Sequence, residues 1–139
     1  MIRTTAPYRD TVLLADDALT ERDLYEMVLR EAFDVVVASR GDDALRMVQA
    51  ERPDVAILDV WMPGMDGWTV CRRLKADPVT SDIPVILLTA DDRFDPVRDA
   101  GGGVAAVLMK PCRAETLLAT VIRVASGREL SPAGVETGE

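Results

Sequence analysis

The chain has 139 residues, 48% of them apolar, and a formal charge of −8 with no histidine at all. That length suits one domain with a sizeable core, and the missing histidine excludes Ser–His–Asp chemistry and most zinc sites. The acidic balance argues against a nucleic-acid-reading face and suits a protein partner or a cation, and no apolar run nears the ~18 residues of a membrane span. The first ten residues lack the apolar stretch of a signal peptide. Two cysteines, Cys71 and Cys112, make no disulfide framework, so a cytoplasmic setting is expected.

In chain order, apolar runs alternate with amphipathic stretches. Thr11-Val12-Leu13-Leu14-Ala15 reads as a buried strand and is followed at once by Asp16 and Asp17. Leu24, Met27, Val28 and Ala32 recur at helical spacing, which predicts a helix over about 19–32. Thr20 and Asp23 give a capping signal near its start. Val35-Val36-Val37-Ala38 is the second strand. Ala44, Leu45 and Val48 mark a short second helix that stops before Pro53. Val55-Ala56-Ile57-Leu58 is the third strand and ends on Asp59. A loop with one proline and two glycines follows, then a third helix carried by Val70, Cys71 and Leu74. Val85-Ile86-Leu87-Leu88 closes on Thr89.

Residues 91–100 predict a poor fourth helix, with Pro96 inside and Gly101-Gly102-Gly103 behind. Val104 to Met109 is the fifth strand and runs into Lys110-Pro111. Leu117, Leu118, Val121, Ile122 and Ala125 make the last helix. Strict alternation with right-handed crossovers gives an α/β, doubly wound parallel sheet of five strands. The expected boundaries are an N-terminal extension over 1–9, the domain over 10–128, and a tail or linker over 129–139.

In such sheets ligands sit outside the carboxyl ends of the strands. Asp16, Asp17 and Asp59 end two strands there. One such Asp alone is an ordinary turn former or cap, but three together repel unless a cation sits among them. Magnesium, with its oxygen octahedron and its habit of using one or two carboxylates plus phosphate, suits the set, with manganese as the alternative. Thr89 and Lys110 end the fourth and fifth strands. Alone they would read as a cap and a solvated charge. With the acids they suggest phosphoryl chemistry. A carboxylate is already ionised at neutral pH and can attack phosphorus to give an acyl phosphate. A metal ion and an ammonium offset the charge of the group in transfer.

Asp16-Asp17, Leu58-Asp59 with Met62-Pro63-Gly64-Met65-Asp66-Gly67, Leu88-Thr89-Ala90 and Lys110-Pro111 occur in one order over about residues 10–127. In this the chain resembles the receiver domain of two-component response regulators. The resemblance implies a flavodoxin-like (βα)5 fold with strand order 2-1-3-4-5. It implies that Asp59 accepts a phosphoryl group from a sensor histidine kinase, a phosphotransfer protein or a small phosphodonor. Asp17 and Asp59 would bind magnesium directly, Asp16 through water, and the main-chain carbonyl of Trp61 would add a ligand. Thr89, with the Ala90 amide, would bond the phosphoryl group, and Lys110 would pair with it across a cis Lys110–Pro111 bond. No enzyme activity is expected beyond self-catalysed phosphotransfer to Asp59 and autodephosphorylation. The implied partners are a kinase and a downstream effector domain or protein, with a homodimer as one assembly; no nucleic acid or membrane is contacted directly.

Three positions depart from the family pattern. Val107 stands where receivers carry a Tyr or Phe, and a valine cannot report by the in–out aromatic flip of the usual threonine–aromatic relay. Cys112 replaces the Phe that normally follows Lys-Pro. The fourth helix is broken by proline, at about 3 kcal/mol, and by glycines, at about 1 kcal/mol each, in a helix interior. These departures suggest signalling through order and disorder of residues 91–103. Trp61 can shield a phosphoryl group from water or serve as a surface aromatic for a partner, while Asp91 can orient water. Two rivals remain. One is a degenerate receiver that acts only as an interaction module. The other is a haloacid-dehalogenase-like phosphohydrolase, which would need an Asp where Trp61 stands.

Overall fold

A computed structural model describes residues 9–127; the expected tail, and the expected N-terminal extension apart from Arg9, lie outside the described residues. Five strands alternate with five helices: β1 (Thr11–Ala15), α1 (Leu19–Leu29), β2 (Asp34–Ala38), α2 (Gly41–Glu51), β3 (Val55–Asp59), α3 (Gly67–Ala76), β4 (Val85–Thr89), α4 (Pro96–Ala100), β5 (Ala106–Met109) and α5 (Ala114–Ser126). All strand pairs are parallel, in the order β2-β1-β3-β4-β5. This is the expected doubly wound, flavodoxin-like sheet. Among the described residues no helix is long and apolar enough to cross a membrane.

Strand alternation divides the interior into two cores. Leu13, Ala15, Ala56, Leu58, Val85 and Leu87 face α2, α3 and α4, where Ala44, Val48, Val70, Cys71, Leu74 and Ala100 meet them. Val12, Leu14, Val55, Ile57, Ile86 and Leu88 face the other way, onto Tyr25 and Leu29 of α1 and Leu117, Val121 and Ala125 of α5. Both faces of the central strands are covered, so their side chains are fully buried and the runs are continuously apolar. Each such side chain stabilises the fold by about 1.5–3 kcal/mol.

Three expectations for α1 are corrected. Its stripe is Tyr25 and Leu29, with Val28 half-buried, whereas Leu24, Met27 and Ala32 lie exposed. The Tyr25 hydroxyl donates to the Cys112 carbonyl at 3.0 Å, which turns that face toward α5. The helix ends at Leu29 rather than near 32, because Glu31 and Ala32 close tight turns and seat Phe33 in the core. The N-cap is Ala18, without a side-chain cap. Thr20 and Asp23 lie inside the helix, and Asp16 Oδ1 accepts the Ala18 N–H instead.

The fourth helix is short, as expected, but Pro96 begins it rather than breaking it. Asp95 accepts the N–H groups of Val97 and Arg98, and Pro96 takes the first turn, where its missing N–H costs nothing. Gly101 (φ 80°) closes the helix, its N–H and that of Gly102 donating back to Val97 and Pro96. β5 starts at Ala106 rather than 104.

Gly67 opens α3 directly against the end of β3. A Cβ there would lie 2.3 Å from the carbonyl oxygen of Asp59, a backbone atom that cannot yield cheaply. Gly67→Ala is therefore expected to destabilise the domain by about 2 kcal/mol or more. Urea unfolding checks this; an unchanged midpoint would show that the loop relaxes freely.

Candidate phosphoryl-acceptor site

The strand order makes β1 and β3 neighbours, with Ala15 opposite Leu58. The residues that follow them, Asp16, Asp17 and Asp59, therefore meet at one edge. Each offers a carboxylate oxygen, and these oxygens all lie within 4.8 Å of one another. One six-coordinate ion, with oxygens at ~2.1 Å, spans roughly that spread. Asp16 is fully buried and Asp59 is only 6% exposed, while Asp17 faces solvent. The trio thus lines a pocket with one open side.

Register also brings up the other strand ends. Asp59 lies opposite Leu88 and Thr89 opposite Met109, so Lys110 arrives one residue beyond. The Lys110–Pro111 peptide is cis. The ammonium of Lys110, itself only 12% exposed, lies 2.9 Å from Asp59 Oδ2 and 3.3 Å from Asp16 Oδ2. Thr89 is buried, and its hydroxyl oxygen accepts the Asp91 N–H at 3.0 Å. Asp59 Oδ1 accepts the Trp61 N–H at 3.3 Å. Ala90 is exposed beside it. Val107 is half-buried and packs into the core on the α3 side.

A residue absent from the sequence expectations completes the cluster. Glu21, in the first turn of α1, places Oε1 2.7 Å from the Lys110 ammonium. Its spacing, five residues after Asp16, was the available signal. An acid in a first turn is ordinary, however, because it complements the helix dipole. Trp68 and Phe94 are further additions. Trp61, 55% exposed, sets its ring edge on Trp68 at 4.8 Å, and Trp68 lies 6.1 Å from Phe94. These three, with Val60, Asp91 and Arg93, line an open cavity of about 580 Å³ beside the acids.

Three carboxylates, those of Asp16, Asp59 and Glu21, thus face one ammonium, with Asp17 beside them in the acid trio. Burial pushes the Asp16 carboxyl up to about 6; the Ala18 N–H opposes this, the Asp59 charge adds to it and Lys110 counters it. Burial alone would lower Lys110, but Glu21 and Asp59 more than offset it, so the ammonium is held above the usual lysine value. The lysine stays cationic at any physiological pH. Chemically the site offers a carboxylate beside a fixed ammonium, an acid trio of the donor type that suits a divalent cation, and a buried hydroxyl.

A family model for the response regulator receiver domain matches residues 12–122. The chain belongs to that family. This receiver domain is 44% identical over 112 residues to the response regulator PleD of Caulobacter vibrioides, covering 79% of the chain and 25% of PleD. It is 37% identical over 118 residues to the protein PilH of Pseudomonas aeruginosa, covering 84% of the chain and 98% of PilH. Among solved structures it is similar to the chemotaxis response regulator CheY4 of Vibrio cholerae, with TM-score 0.75 and 31% identity over 84% of this chain and 99% of that one. The chain spans about a quarter of PleD and nearly all of PilH. Domains of this family serve two-component signalling.

The raised Asp16 value has a sign that can be checked. With the folded value above the unfolded one, this group favours the folded state fully below about pH 4 and loses that contribution as pH rises through 6. At pH 7 the buried charge is a liability. Asp16→Asn, which keeps an acceptor for Ala18, should stabilise the metal-free domain by about 1–2 kcal/mol at pH 7. The gain should fade toward pH 4 and with saturating divalent cation. Urea midpoints across pH measure it; a destabilised variant at pH 7 would contradict the electrostatic account.

Proposed function

We propose that this receiver domain is a magnesium-dependent phosphoryl acceptor whose nucleophile is Asp59. The observation that carries the reading is the Lys110 ammonium at 2.9 Å from the Asp59 carboxylate, with two further acids beside them. Asp59 and Asp17 would hold the ion directly, Asp16 through water, with the Trp61 carbonyl as a further ligand; the ion would neutralise charge on the phosphoryl oxygens. An Asp59 oxygen attacks phosphorus of a phosphohistidine on a sensor kinase or phosphotransfer protein. The P–O bond forms as the P–N bond breaks, and the imidazole leaves with a proton. Lys110 offsets charge on the transferred group, and the Thr89 hydroxyl and Ala90 amide bond its oxygens. In autodephosphorylation, water attacks phosphorus and the Asp59 carboxylate leaves.

Two links carry the event outward. The Asp91 N–H now rests on the Thr89 hydroxyl. A hydroxyl drawn to the phosphoryl group releases that N–H and the turn leading into α4. The aromatic chain Trp61–Trp68–Phe94 joins the acceptor loop to the same segment. Residues 91–103 are thus the responsive element, in place of an aromatic at Val107. An effector domain or protein, or a second copy of the chain, would read that surface in the cytoplasm. The net charge of −8 assigns any DNA contact to such an effector rather than to this domain. Val107 is the one feature that favours the degenerate-module reading.

Acetyl phosphate with magnesium should add one phosphoryl mass to the wild-type chain and none to Asp59→Asn. Tryptophan fluorescence should respond to magnesium and again to beryllofluoride. Silence in all three assays would favour the degenerate module. Trp61→Ala should change the acyl-phosphate lifetime several-fold; an equal lifetime retires the shielding role. Hydrogen exchange over 91–103 should shift with beryllofluoride relative to α3, and identical exchange in both states removes that segment as the responsive element.

A further inference from the structure

Lys110 is fully engaged before any phosphoryl group arrives. An ammonium has three N–H donors. Here it faces three carboxylate oxygens: Glu21 Oε1 at 2.7 Å, Asp59 Oδ2 at 2.9 Å and Asp16 Oδ2 at 3.3 Å. A phosphoryl oxygen can bind only if one of these yields.

The three are not equivalent. Asp16 and Asp59 belong to the acid trio and are almost wholly buried. Glu21 stands outside the trio and comes from another element, the first turn of α1. Its side chain is 42% exposed, yet the oxygen that reaches the lysine is enclosed and meets no other partner among the described residues. The ammonium is thus what holds that oxygen inward. An acid placed only to complement the helix dipole could point to solvent; this one turns inward. The half-exposed glutamate can also leave for water at little cost, which the buried aspartates cannot.

We propose that Glu21 is a positioning residue that holds the Lys110 ammonium in the unphosphorylated domain and competes with the phosphoryl group for it. Glu21 is thus a latch whose release accompanies phosphorylation. This rests on the phosphoryl-acceptor reading of Asp59. Its removal frees a donor on Lys110 and takes one negative charge from the neighbourhood of an incoming anion.

The test uses the full chain with saturating magnesium and beryllofluoride as the phosphoryl probe, titrated by tryptophan fluorescence. Glu21→Gln should bind beryllofluoride about fivefold more tightly than wild type, the size expected for losing one competing, partly exposed ion pair. Glu21→Ala should act in the same direction. In a Lys110→Met background the Glu21→Gln effect should vanish, because the latch acts through the lysine. A tightening that persists there would mean a direct charge effect and would overturn the latch. A second readout needs neither metal nor phosphoryl probe. The Lys110 ammonium should give a slowly exchanging proton–nitrogen NMR signal in wild type and a faster one in Glu21→Gln; an unchanged signal counts against the latch. A wild-type response to beryllofluoride with equal affinity in Glu21→Gln defeats the latch alone. No wild-type response defeats the phosphoryl-acceptor reading, and the latch with it.

Discussion

The crowding of carboxylates around one ammonium is the constraint on which the rest of the structure depends. Asp16, Asp59 and Glu21 converge on Lys110 at the carboxyl edge of the sheet, with Asp17 beside the two aspartates. Acids at such distances repel, and a single lysine cannot neutralise them all. The chain accepts this cost because a deep core surrounds it. β1, β3 and β4 are buried on both faces and fix the strand ends to within one register position. A softer scaffold would let the acids drift apart. Here the backbone holds them, and the acid trio keeps a deficit of positive charge at the sheet edge.

The loop after β3 shows how local chemistry serves that constraint. The Val60 N–H donates to Leu88 and the Gly67 N–H donates to Val60, so the loop leaves the sheet and returns directly under Asp59. Only glycine fits where the loop touches the Asp59 carbonyl. Asp66 then caps α3 by accepting the Thr69 N–H. The short motif Met62 to Gly67 is thus a return path that keeps the Asp59 carboxylate fixed while its outer side stays open.

Much of this was legible in the sequence, for a physical reason. A parallel strand covered on both faces is a continuous apolar run, and the polar residue that ends it is a sharp mark. Asp16, Asp59, Thr89 and Lys110 were readable as strand ends on that ground, and the structure brings the acids and Lys110 together. Helix faces were less legible. Leu24 and Met27 look like core on period alone, but which face of α1 is buried depends on α5, and Tyr25 finds its partner in the Cys112 carbonyl 87 residues away. Pro96 was read as a break because its effect depends on position, and only the cap at Asp95 makes it a start. Glu21 was illegible because one acid in a first turn is commonplace and its partner, Lys110, lies far along the chain.

The same contrast bears on how a charge change at Asp59 would leave the site. Val107 is half-buried beside Leu87 on the α3 side of the sheet, and a branched aliphatic side chain has no in–out aromatic flip with which to report. The contacts that do touch the acceptor lead elsewhere. Asp59 Oδ1 accepts the Trp61 N–H, Trp61 leans on Trp68, and Trp68 faces Phe94 at the mouth of α4. Thr89 reaches the same place through the Asp91 N–H. Both routes end on a helix of only five residues, closed by glycines at positive φ and held to α3 through the Arg72 donation to the Asp99 carbonyl. Short, exposed elements with few buried contacts lie at the low-stability end of a fold. The proposed switch therefore works on the element that least resists it, and the edge strand β5 need only deliver Lys110.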